Sequence, residues 1–71
     1  MTRASSSTLG SRIREARTAA GLSQQALADA VGAHQPTVAA WESDRRSLSV
    51  ESLAALSRSL GRTTDWLLGL A

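Results

Sequence analysis

The groups in this chain that could do covalent chemistry are few and scattered. His34 is its single histidine, and cysteine is absent. No Ser or Cys nucleophile motif accompanies His34, and no carboxylate cluster stands at metal-ligand spacing around it. A glycine loop able to cradle phosphates is also missing from the sequence. An enzyme is therefore not expected, nor a metal, nor a cofactor.

Recognition chemistry is what remains. All eight basic residues are arginine, against six acids, for a net charge of +2. Guanidinium forks bind phosphate and carboxylate in bidentate fashion, which an ammonium cannot do; a coding bias toward Arg and Ala explains the same composition. Arg45 and Arg46 follow, one residue on, a stretch, QPTVAAWES, whose two sides differ in character. At about 100° per residue, Val38, Trp41 and Glu42 share one side of a helix. Gln35, Pro36, Ala39, Ala40 and Ser43 share the other. That second side has no charge, no large apolar group and one strongly hydrogen-bonding amide, Gln35.

The elements that must hold this face follow from caps and periodicity. Ser23 is a good N-cap for a helix over about 24–31. Leu27, Ala28 and Val31 lie on one face of it. Gly32 stops that helix where a positive φ is favoured. Pro36 then sits in the first turn of a helix over about 35–43, where its missing N–H costs nothing. Two helices, a short turn containing Gly, and a small residue, Ala28, at the crossing make a helix-turn-helix. Around it, Thr8 caps a helix over about 9–20, with Leu9, Ile13, Ala16 and Ala20 as its stripe and Arg12, Arg14 and Glu15 away from it. Ser49 caps a helix over about 50–60, with Val50, Leu53, Leu56 and Leu60 buried. Thr63 caps a last helix over about 64–69, where Trp66 and Leu67 close the core and Asp65 suits the positive helix end. Trp41 shares a face with Val38 and is read as core, in preference to a base-stacking role. Leu68 and Leu70 are left over as an apolar pair, a candidate dimer patch.

With these residues in place, the chain resembles the Cro/C1-type (XRE-type) helix-turn-helix regulators. The match is carried by GLSQQALADAVGAHQPTVAAWESDRRSLSVESLAALSRSLGRTTDWLLG, nearly the whole chain from about Leu9 to Gly69. It agrees at a dozen positions in type and spacing. The resemblance implies an all-α fold: a compact five-helix bundle of the lambda-repressor-like DNA-binding type, with the helix-turn-helix at helices 2 and 3. It implies a sequence-specific transcriptional regulator of double-stranded DNA, a repressor that binds a palindromic operator as a homodimer with helix 3 in the major groove.

Residue roles follow from the same resemblance. By family position His34, Gln35, Pro36, Ala39 and Ala40 face the bases. A Gln amide can bond adenine N6 and N7, and Ala or Pro can touch a thymine methyl. Gln24, Thr37, Ser43, Arg45 and Arg46 fall at phosphate-contacting positions, which fix register without reading sequence. Arg17 is implied to pair with Glu42. The dimer contact is implied around Leu48 and from Leu67 through Leu68 to Leu70, although Leu48 could equally pack under its loop. Two departures stand out. Asp44 and Leu48 occupy positions where the family usually has Gly and Pro. Asp tolerates the left-handed backbone, and Arg45 or Arg46 is expected to neutralise its charge.

Length and composition set outer bounds. Seventy-one residues make one domain, here 8–71, after an arm at 1–7 read as disordered and able to carry Arg3 toward a groove or to stay solvated. A chain of this size buries only about 60% of its unfolded surface, so packing must be tidy. No apolar run reaches the ~18 residues of a membrane span, and MTRASSST lacks the apolar core of a signal peptide. A cytoplasmic protein without a second sensor domain is the expectation. Two other functions use the same fold: an antitoxin that binds a toxin partner and represses its own operon, and a protein-interaction module that no longer binds DNA.

Overall fold

The computed structural model describes residues 7–70, so the arm expected at 1–7, with Arg3, lies outside the described residues apart from Ser7. Five helices follow in order: α1 (Leu9–Ala19), α2 (Gln24–Val31), α3 (Gln35–Glu42), α4 (Val50–Leu60) and α5 (Thr64–Leu68). No strand occurs among the described residues. Each expected N-cap does its work. The hydroxyls of Thr8, Ser23, Ser49 and Thr63 accept the N–H groups of Ser11, Ala26, Ser52 and Trp66. Thr8 and Ser11 go further and close a reciprocal capping box. Helices α1, α3 and α5 each end one residue before the position that periodicity gave.

The core joins one stripe from every helix. Ile13 and Ala16 of α1, Leu27 and Ala28 of α2, Val38 and Trp41 of α3, Leu56 and Leu60 of α4 and Leu67 of α5 are all buried. Helix α3 packs on α1 and α2, while α4 and α5 close the other side against α1, with α4 also touching α2. Ala28 is fully buried, as a close crossing of α2 and α3 requires.

Four expectations about burial need correction, and one is that Leu53, expected to be buried, is only half-buried against the core. Val50 is 80% exposed. It opens α4, where no other helix covers the first turn, and the core receives Leu48 there instead. Ala20 is the exposed C-cap of α1, one residue beyond its packed stripe. Trp66 is only half-buried and carries the Arg62 guanidinium 4.2 Å from its ring centroid, a cation–π contact at the α4–α5 corner.

Two long-range contacts tie the chain ends to the bundle. Arg12, expected to lie away from the packed face, donates its Nε to the Leu67 carbonyl at 2.8 Å and its Nη1 to the Ser7 hydroxyl at 2.8 Å. It thereby satisfies an orphan carbonyl at the end of α5. Asp44 is held by neither Arg45 nor Arg46. Its carboxylate accepts the Thr8 hydroxyl at 2.6 Å and the Gly10 N–H at 2.9 Å. The donors at the start of α1 are closer and better aimed than the solvated guanidinium groups.

Candidate nucleic-acid interface

The turn between α2 and α3 is Gly32, Ala33 and His34, with Gly32 at φ 72°. A left-handed residue there reverses the chain within three residues and sets α3 across α2. His34 is the N-cap of α3 but makes no side-chain cap bond, and its imidazole is exposed. Pro36 in the first turn removes one N–H that would otherwise need a partner.

The outer side of α3 is uncovered by the rest of the described chain. His34 and Pro36 are exposed; Gln35, Thr37, Ala39 and Ala40 are partly exposed; none is buried. Val38, Trp41 and Glu42 take the buried side. At the far end, Asp44 adopts φ 62° and closes a Schellman motif. The Asp44 and Arg45 N–H groups donate to the Trp41 and Ala40 carbonyls at 3.1 and 2.9 Å. The chain then leaves with Arg45 and Arg46 exposed. Arg45 Nε donates to the Ser43 hydroxyl at 2.8 Å, so these two side chains project together.

Behind this face lies a polar chain that crosses three helices. Arg17 Nε of α1 donates to Glu42 Oε2 of α3 at 2.6 Å, and its Nη1 to the Leu22 carbonyl at 2.7 Å. Glu42 Oε1 accepts Gln24 Nε2 of α2 at 3.0 Å. Gln24 Oε1 in turn accepts Gln35 Nε2 at 2.7 Å. Glu42 is the one buried charged residue among those described, and its partners meet both carboxylate oxygens. The partnership of the two glutamines was not read from the sequence. Their shared helical geometry gives no signal for it, because Gln24 and Gln35 lie on different helices.

The positions assigned to a subunit contact separate. Leu68 and Leu70 are 42% and 73% exposed. Leu67 is fully buried in the core, which removes it from any contact surface, and Leu48 packs at the core's edge. The helical period explains the split: Leu67 points inward on α5, and its neighbour Leu68 is turned by about 100°.

A short turn, a partly exposed second helix with a small uncharged face, and arginines at its exit define a DNA-binding domain of the helix-turn-helix class. A family model described as helix-turn-helix matches residues 13–67. The chain belongs to this family, the XRE-type helix-turn-helix transcription regulators. It is similar to the P22 c2 repressor solved in complex with synthetic operator 9T, at 32% identity and a TM-score of 0.87, covering 93% of this chain and 100% of that one. The restriction-modification controller protein C.AhdI from Aeromonas hydrophila is 35% identical with a TM-score of 0.80, over 84% of this chain and 87% of that one. The clp gene regulator ClgR from Corynebacterium glutamicum is 27% identical with a TM-score of 0.80, over 83% of this chain and 63% of that one. No curated protein matches the chain at the sequence level. Among the described residues no helix is long and apolar enough to cross a membrane.

Proposed function

We propose that the chain is a cytoplasmic repressor that binds a palindromic operator as a homodimer, with α3 in the major groove. The observation that carries this reading is the uncovered small-residue face of α3, which holds a partnered Gln35 among Pro36, Ala39 and Ala40. A major groove about 12 Å wide admits such a helix. Gln35 keeps an oxygen and one N–H for adenine N6 and N7 while its other N–H stays on Gln24. His34, Pro36, Ala39 and Ala40 line the same face, and the three apolar side chains suit thymine methyls. Gln24 and Thr37 on one side, and Ser43, Arg45 and Arg46 on the other, grip the sugar–phosphate backbones. One domain covers about half a helical turn, so two copies set half-sites ~34 Å apart. Leu68 and Leu70 supply apolar surface for the contact between copies.

Selection of bound sequences from a randomised duplex pool tests this directly. The expected motif is an inverted repeat with an adenine in each half. Gln35→Ala should flatten that one position at a cost of ~1–3 kcal/mol and leave the others in place. A motif without symmetry, or one unchanged by Gln35→Ala, would reject the assignment.

A further inference from the structure

The last helix is five residues long, too short to hold its own end by backbone hydrogen bonds alone. Gly69, at φ 78°, turns the chain out of α5 in a Schellman motif. Its N–H donates to the Trp66 carbonyl at 3.1 Å, and the Leu70 N–H donates to that of Asp65 at 2.8 Å. The Leu67 carbonyl is met from outside the helix, by Arg12 Nε of α1 at 2.8 Å. The same guanidinium lies against the open side of Gly69: a Cβ there would stand 2.8 Å from Nη2 and 2.9 Å from Cζ. Its Nη1 donates to the Ser7 hydroxyl at 2.8 Å. Gly61 has the same left-handed backbone, at φ 68°, but nothing lies within 4 Å of its Cβ position. Glycine is needed at 69 for space as well as for φ, because a guanidinium is packed onto the turn.

Leu68 and Leu70 flank Gly69 and are 42% and 73% exposed. We infer that Arg12 is a positioning residue for the contact between copies: its guanidinium, holding the Leu67 carbonyl and the open side of Gly69, fixes where Leu68 and Leu70 stand before the copies meet. The inference rests on the homodimer proposed above. Leu67 is the one buried side chain of α5, so the turn beyond it has no apolar anchor of its own. The positive charge of Arg12 also suits the negative end of that helix. A patch ordered in the free chain costs less to dock than one that must be ordered on contact.

Sedimentation equilibrium over a range of concentrations, with thermal unfolding of each variant in the dilute, monomeric range, tests the assignment. Arg12→Met keeps the length of the stem and removes every donor. It is expected to weaken the dimer about 10-fold, as a patch in its competent arrangement about a tenth of the time requires, with helical circular dichroism unchanged. Arg12→Lys keeps the charge and a donor for the Leu67 carbonyl, and should recover most of that loss. Gly69→Ala pushes the guanidinium off the turn, so its effect on the dimer should be largely contained in that of Arg12→Met. Gly61→Ala strains the backbone without touching Arg12 and should leave the dimer constant in place. A purely structural role for Arg12 would lower Tm and spare the dimer constant, which overturns the inference. Losses that simply add in the Arg12→Met, Gly69→Ala double variant overturn it too, as do equal dimer losses from Gly61→Ala and Gly69→Ala. A native chain that stays monomeric, or a dimer that Leu68→Asp leaves intact, overturns the homodimer patch itself.

Discussion

Asp44 accepts the Gly10 N–H on Oδ1 at 2.9 Å, across 34 residues of sequence. The contact joins the exit of the second helix-turn-helix helix to the start of α1. It also places Asp44, at φ 62°, directly before Arg45 and Arg46. A carboxylate beside the DNA backbone would repel phosphate. Here its charge is spent on the Gly10 amide, the Thr8 hydroxyl and the positive end of the α1 dipole.

Gly10→Ala should destabilise the fold. A Cβ there would stand 2.5 Å from the Trp41 carbonyl oxygen and 2.6 Å from that of Glu42, and backbone cannot move aside cheaply. The expected loss is about 1–3 kcal/mol, or roughly 4–8 °C of Tm per kcal/mol for a domain of this size. Thermal unfolding followed by circular dichroism measures it. An unchanged Tm would show that the α1–α3 junction yields to the added methyl without cost.

Glu42→Ala should cost ~3–5 kcal/mol, because it leaves the Arg17 guanidinium unpaired within the fold. The side chains of Arg17 and Glu42 are only 14% and 4% exposed. The double variant Arg17→Met, Glu42→Leu should lose far less, since an apolar pair of similar size removes the need for compensation. Urea unfolding of both single variants and the double variant decides this. Additive losses would mean the pair is not coupled.

Arg46→Ala should weaken binding to specific and non-specific duplexes by the same factor. It should also lower the slope of log K against log salt by about one. Titrations at several salt concentrations supply the slope. An effect limited to the specific duplex would argue against a phosphate contact for Arg46.

Leu68→Asp should yield a folded monomer that binds its operator weakly. Leu68 is 42% exposed, so the charge has solvent to face and the core is spared. Leu67→Asp, one residue away, should instead unfold the domain. Sedimentation of Leu68→Asp as an intact dimer would place the subunit contact elsewhere.

The local grammar of the fold was legible before any tertiary contact was known. Four hydroxyl caps, Gly32 and Gly61 at helix ends and a helical period in every segment placed five helices to within a residue. Those signals act over one or two turns of chain, so the sequence carries them openly. The two-sided pattern of α3 separated its buried side, Val38, Trp41 and Glu42, from its uncovered one.

What the tertiary structure alone decided are the partnerships between groups far apart in sequence. Asp44 turns to α1 and away from its own arginines, Arg12 closes the end of α5, and Gln24 stands between Glu42 and Gln35. Periodicity states which side of a helix is apolar. It does not state which polar group arrives opposite, because that depends on where separate helices cross. The same reason exposes Val50 and packs Leu48 against the core's edge: a stripe is covered only where another element passes over it.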